Sequence, residues 1–202
     1  ALHQFVAHVG RDNFITGLQK YFAKHAFKNT TLDDLLNELT ATSGRDLKPW
    51  VDTWLRTSGV NTLRPKLEIS GDTYSAISVI QEAPTMPVGS TELRPHRMAV
   101  GLYDLSGSTL KLRKSVELDV AGALTEVKEL AGEKVADLLL LNDRDLSYGK
   151  IRFDDRSIAT LKSHLGKLDD GLARALCWSA AWDMLRDAEI SATDFVEIAI
   201  AG

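Results

Sequence analysis

The stretch WVDTWLRTSGVNTLRP, residues 50–65, begins with one regularity and ends with another. Trp50 and Trp54 stand one helical turn apart; then Gly59, Asn61 and Pro65 interrupt the helix, and the chain beyond alternates like a sheet. This joint divides a helical N-terminal part from a β-rich middle.

Upstream, three segments carry helical periodicity. In RDNFITGLQKYFAKH (11–25), Phe14, Leu18, Tyr21 and Phe22 share one face, with Gln19, Lys20 and Lys24 elsewhere on the wheel. In TTLDDLLNELTATSG (30–44), Thr31 is placed to cap the N-terminus, Asp33 and Asp34 suit the positive helix end, and Gly44 suits a left-handed C-cap. Leu32, Leu35, Leu36 and Leu39 are expected inward. In RDLKPWVDTWLRTSG (45–59), Asp46 caps, Pro49 is tolerated in the first turn, and Leu47, Trp50, Trp54 and Leu55 form the buried stripe.

Downstream the period becomes two. In LKLRKSVELDV (110–120), Leu110, Leu112, Val116, Leu118 and Val120 are expected on one face and Lys111, Arg113, Glu117 and Asp119 on the other, with Lys114 and Ser115 the only irregularity. That places Leu112, Val116 and Leu118 in a core between two sheets. PKLEIS (65–70), YSAISVIQ (74–81), HRMAVGLYDL (96–105), LTEVK (124–128) and ADLLLL (136–141) read as further strands, with turns at 70–72 and 106–108. The proline-rich stretch 82–95 reads as an exposed loop. Helical pattern returns after FDD (153–155), with Ile158, Leu161 and Leu165 inward, then Leu172, Leu176, Ala180 and Met184. The expected fold class is multidomain α+β: a helical lobe (1–60), an antiparallel β-sandwich (61–153) and the start of an α-helical domain (154–202).

Composition excludes several partners. The formal net charge of −4 across 202 residues gives no electrostatic reason to expect nucleic acid or anionic membrane, since phosphate binding requires a clustered basic surface. No apolar run reaches the roughly 18 residues of a membrane span, and the N-terminus lacks a signal-peptide pattern. A cytoplasmic location is expected. The single cysteine, Cys177, sits in RALCWSAAW and reads as a core thiol. Leu2, Phe5, Val6 and Val9 share a helical face with no cap before them, and SATDFVEIAIAG runs apolar to the last residue after a capping box at Ser191 and Asp194. Both ends read as cut from something longer.

The residues of catalytic chemistry are scattered. Of His3, His8, His25, His96 and His164, only His3 and His8 are close, and five-residue spacing puts them roughly 140° apart on a helix, unlike a zinc pair at four. The acidic pairs Asp33–Asp34, Asp154–Asp155 and Asp169–Asp170 each stand where a helix begins, so capping accounts for them. Asp143, Asp145 and Ser147 have the spacing of a calcium loop, but Gly149 comes one residue late and Asp154 replaces the bidentate glutamate. There is no GxGxxG, P-loop or HExxH, and Ser106 lies in a hairpin turn without a base. No residue is assigned a catalytic, cofactor-binding or metal-binding role.

The order of these motifs resembles one family. GRDNFITGLQKYFAKHAFKNTTLDDLLNELTATSGRDLKPWVDTWLRTSGVNTLRP (10–65) is similar to the end of the catalytic domain of zinc aminopeptidases of the aminopeptidase N family, actinobacterial type, where a helical lobe passes into a small β-sandwich. LNDRDLSYGKIRFDDRSIATL (141–161) resembles that family's exit from the sandwich, with an asparagine before a tyrosine-glycine turn, a short strand and the first helix of a large helical domain; LARALCWSAAWDMLRD continues it. The resemblance implies a parent hydrolase in which two histidines and a glutamate hold zinc and an HExxH glutamate acts as base. It also implies that this chain starts beyond the family's catalytic tyrosine and holds none of those groups. Zinc would belong to the parent enzyme and not to this segment, whose partners would be the remainder of its own polypeptide and, for the parent, peptide substrates. The alternative is a free-standing β-sandwich binding or adaptor module.

Overall fold

The computed structural model describes residues 2–202, which form two compact units divided between Ser58 and Gly59. The first unit holds α1 (Leu2–Val9), α2 (Arg11–His25), α3 (Leu32–Ser43) and α4 (Lys48–Arg56). Its starts and stops are local chemistry. Thr31 and Asp34 form a reciprocal capping box on α3, Gly44 closes it in the left-handed conformation at φ 68°, and the Asp46 carboxylate accepts the Lys48 amide at 3.1 Å. The core is aromatic: Phe5 packs on Trp50 at 4.7 Å between ring centroids, edge-on to Phe14 at 6.2 Å, and Trp50 stacks on Trp54 at 5.8 Å. Gly17 lets α2 and α3 meet, since a Cβ there would lie 2.7 Å from Leu39 Cδ2.

Two leucines depart from the expected stripe. Leu32 and Leu55 are 46% and 49% exposed. With Leu2 they rim an apolar groove of about 260 Å³ floored by Phe5, Trp50 and Val51, so they extend the hydrophobic face without entering the core.

The second unit contains β1 (Thr62–Ser70), β2 (Thr73–Glu82), β3 (His96–Ser106), β4 (Thr109–Val120), β5 (Leu124–Glu126), β6 (Leu138–Leu141) and β7 (Lys150–Ile151), then α5 (Asp155–His164), α6 (Gly171–Arg186) and α7 (Ala192–Ala201). One sheet has the order β5-β2-β1-β7 and the other β4-β3-β6. The pairs are antiparallel except β1 with β7, which run parallel, so the sandwich is not purely antiparallel. This follows from position: β7 reaches the edge of β1 by a route through the other sheet, not by a hairpin.

The β4-β3-β6 sheet is a middle layer. Every residue of β6 is buried, as are seven of the first eight positions of β3, so both faces of these two strands are covered, whereas β4 at the edge is mostly exposed or half-buried. The Ser157 hydroxyl of α5 accepts the Leu139 amide at 3.0 Å and Thr160 donates to the Asp137 carbonyl at 2.6 Å, closing the open edge of β6. Strands of both sheets and all three helices share one hydrophobic cluster.

A bulge corrects the reading of β4. Leu102 pairs with Lys114 but Tyr103 pairs with Leu112, leaving Arg113 as the extra residue. Paired residues share a face, so Val116, Leu118 and Val120 lie with Val100, Met98 and His96, whereas Leu110 and Leu112 lie with Leu105 and Tyr103 on the other face. Leu112 is 45% exposed and outside the inter-sheet core. Arg113 is held outside the ladder by Asp104 at 2.7 Å and Glu133 at 3.0 Å.

In α6 the buried stripe is Ala173, Cys177, Ala180, Ala181 and Met184; Ala180 and Met184 lie inward as expected, whereas Leu172 is 48% exposed and Leu176 half-buried. Small residues bring this helix close to the sheet. It ends in a Schellman turn: Glu189 N–H reaches the Met184 carbonyl at 2.8 Å, Ala188 N–H that of Leu185 at 3.1 Å, and Ala188 sits at φ 59°. In α7, Ile198 is buried while Ile200 projects outward, and Phe195 packs against Trp178 and Trp182.

Two substitution sets test this description. Val120→Asp, at a fully buried position, should lower unfolding free energy by about 3 kcal/mol or more. Leu112→Asp should cost about 1 kcal/mol or less by the same urea titration, and equal losses would contradict the bulge. Ala188→Gly should raise stability by about 0.5–1 kcal/mol, because glycine adopts the left-handed turn conformation without a Cβ penalty.

Candidate functional site

The polar groups with functional potential gather where β6 leaves the middle sheet. Asp143 turns inward and accepts the Tyr103 hydroxyl and, at 3.3 Å, that of Ser115. Gly101 makes the room, since a Cβ there would lie 2.7 Å from the Asp143 carboxyl carbon. Burial pushes the Asp143 carboxyl above its ordinary value, and burial together with the Asp143 hydrogen bond pushes the Tyr103 hydroxyl up. The tyrosine therefore keeps its proton and donates it. This bond ties β6 to β3 and does not poise either group for proton transfer.

One residue earlier, Asn142 adopts a positive φ of 59° and its side chain closes the loop, accepting the Ser147 amide at 3.0 Å and donating to the Ser147 carbonyl at 2.7 Å. That clamp presents Ser147 Oγ to His96 Nδ1 at 2.6 Å. A serine against a histidine suggests a nucleophile and its base. The electrostatics oppose it: burial, then the charge of Arg94, lowers His96 to about 4, which makes it a poor base near neutrality. Ser147 faces a cavity of about 320 Å³ lined also by Asp145, Tyr148, Ser179 and Asp183.

A second polar group joins β1 and β7 to the end of α6. Arg152, only 2% exposed at its side chain, donates Nε to Glu189 at 2.6 Å and Nη2 to Asp187; Lys150 reaches Asp187 at 2.7 Å, and Arg64 bridges Glu189 at 3.0 Å and Glu82 at 2.8 Å. Hydrogen bonding from Lys150, with that from Arg152, holds the Asp187 carboxyl below its ordinary value. Three cations meet three anions, so the group is self-neutralising and ties the helical layer to the outer sheet.

The residues singled out by sequence do not converge. His3 is exposed, His8 stacks on Trp50 at 6.2 Å, His25 lies 5.4 Å from Tyr21, His96 is buried on Ser147, and His164 is on α5. Asp34, Asp154 and Asp170 cap α3, α5 and α6 as their positions foretold. Of the calcium-like trio, Asp143 points into the sheet, Asp145 is exposed and Ser147 is buried. Among the described residues no three histidine, cysteine or acidic side chains are grouped to hold a metal ion. Ser106 is exposed at the β3–β4 turn. Cys177 is buried in α6, its thiol pushed up by burial and then by the charge of Asp143. The Ser147–His96 pair and the Arg152 group escaped sequence reading because their members are 51 and up to 125 positions apart.

Comparison with known proteins shows what the chain is similar to. Residues 138–201 match the family described as ERAP1-like C-terminal domain. The chain is 49% identical over 206 aligned residues to aminopeptidase N of Streptomyces lividans, covering 100% of this chain and 24% of that protein. It is 40% identical over 58 residues to aminopeptidase N of Lactococcus lactis subsp. lactis, covering 29% of this chain and 7% of that one. The fold is similar to aminopeptidase A of Legionella pneumophila, with a TM-score of 0.65 at 16% identity, covering 98% of this chain and 23% of that one. The chain thus spans about a quarter of the length of the first of these relatives.

The buried histidine gives a pH test. Its value falls from 6.5 to about 4 on folding, so its contribution is complete above pH 6.5 and drains as pH drops toward 4, where the unfolded chain alone takes up the proton. Stability should fall by about 3 kcal/mol over that window. His96→Gln should remove this slope in urea melts at a series of pH values, and an unchanged slope would assign it to other groups.

Proposed function

We propose that the chain is a segment of an aminopeptidase N family member, a non-catalytic, supporting part of a zinc-dependent metallopeptidase that hydrolyses N-terminal residues from peptides. The observation that carries this reading is the 49% identity extending over the whole chain. The parent's substrates are peptides and its partner for this segment is the rest of the same polypeptide. Neither nucleic acid nor membrane takes part, a reading supported by the net charge of −4. Within the described residues no helix is long and apolar enough to cross a membrane. The location proposed for the parent is the cytoplasm.

The segment is laid out as the helical end of the catalytic domain (1–60), the β-sandwich (61–153) and the first helices of the C-terminal domain (154–202). The division of compact units between Ser58 and Gly59 supports the first of these borders; residues 59–202 form one compact unit, and the family match, residues 138–201, begins inside the proposed sandwich.

The donor set present here does not fit the catalytic zinc of the parent, which needs three convergent protein ligands and an adjacent base. The histidines are dispersed over α1, α2, β3 and α5, and the inward carboxylate, Asp143, is engaged by Tyr103 and Ser115. No catalytic, cofactor or metal role is assigned to any residue of this chain. Its contribution is mechanical: the aromatic core of the helical unit and the doubly covered strands β3 and β6 give rigid bodies on which a site built elsewhere in the polypeptide can rest.

Zinc analysis beside peptide turnover tests this. The 202-residue chain should retain no stoichiometric zinc after dialysis and release no N-terminal residues from peptides, whereas the full-length family enzyme carrying it should do both. Tightly held zinc with turnover by the short chain would overturn the proposal.

A further inference from the structure

The loop 82–95 between β2 and β3 has an exposed tip and a buried stem. Met86 and Val88 stand out in solvent, yet Arg94 and Pro84 are buried. The stem is fastened to the first residues of the sandwich unit and not to its neighbours in the hairpin alone. Asn61, 1% exposed, donates from Nδ2 to the Glu82 carbonyl at 3.1 Å and to the Glu92 carbonyl at 2.6 Å, one on each limb of the loop. Its Oδ1 accepts Arg94 Nη1 at 3.1 Å, and Gln81 Nε2 donates to the Arg94 carbonyl at 2.8 Å. Asn61 thus has both amide functions committed to the loop.

Gly59 completes the closure. It adopts φ 98°, and a Cβ there would lie 2.6 Å from both the Met86 carbonyl oxygen and Pro84 Cβ. The loop backbone therefore lies against the chain where that chain enters the unit, leaving no room for a side chain. We infer that the 82–95 loop is a strap that locks residues 59–61 in place, with Asn61 and Arg94 as its pins and the Pro84–Met86 limb seated on Gly59. The device fixes the direction in which the polypeptide enters the sandwich. It uses a side-chain amide to join three segments that share no β-ladder beyond Thr62 and Glu82, so loosening either partner must loosen the other.

Hydrogen exchange read by mass spectrometry on the 202-residue chain tests the coupling. Asn61→Ala should speed exchange about tenfold in peptides covering 59–63 and 90–96, with peptides from 98–118 unchanged. Acceleration spread evenly over the sandwich, or confined to 59–63, would overturn the strap. Should Asn61→Ala fail to fold, deletion of Pro84–Gly89 removes the limb over Gly59 while leaving both pins. That variant should speed exchange several-fold at 59–61 alone. Unchanged exchange there would overturn the proposal equally.

Discussion

Strands covered on both faces have nowhere to put an unpaired polar group, and the second unit is arranged around that restriction at β3 and β6. Few polar side chains are buried around β3 and β6, and they are paired: Tyr103 with Asp143, Asp143 with Ser115, and His96 with Ser147. The exposed ladder edge of β6 is closed by a serine hydroxyl from α5. Gly101 belongs to the same economy of space, because any larger residue would evict the Asp143 carboxylate. Losing one of these partners would leave a buried donor or acceptor facing hydrocarbon, which costs more than the bond itself contributes.

Legibility in the sequence follows how local each cause is. Helix starts were readable, from the Thr31 and Ser191 caps to the acidic pairs that supply Asp154 and Asp170, because capping needs only residues within one turn. Strands β1 to β6 were readable from alternation and turn residues. The face switch in β4 was not: LKLRKSVELDV alternates evenly by type, and the bulge exists only in register with β3. Lys114 and Ser115 marked the irregularity without revealing its sense. Leu172 was placed inward because leucine is the more apolar choice, whereas close packing selected Ala173 and Cys177.

The polar centre was legible in its parts and illegible as a whole. The Asp143–Asp145–Ser147 spacing looked like a cation loop, and only the tertiary fold reveals that Asp143 and Asp145 point in different directions, one into the sheet and one into solvent. The buried arginines were equally hidden. Nothing near Arg152 or Arg94 announces burial, because the partners that neutralise or satisfy them, Glu189 and Asn61, come from distant parts of the chain. The family resemblance was readable through the order of many modest motifs, none sufficient alone.

The lone thiol has a use that its chemistry as a core residue conceals. Cys177 is wholly enclosed, and burial holds it in the protonated, unreactive form. Any thiol reagent must wait until α6 lifts from the middle layer. With no other sulfhydryl in the chain to confuse the signal, the rate of labelling is a clock for that separation. A single natural atom thus reports the motion of one layer against another, with no engineered probe.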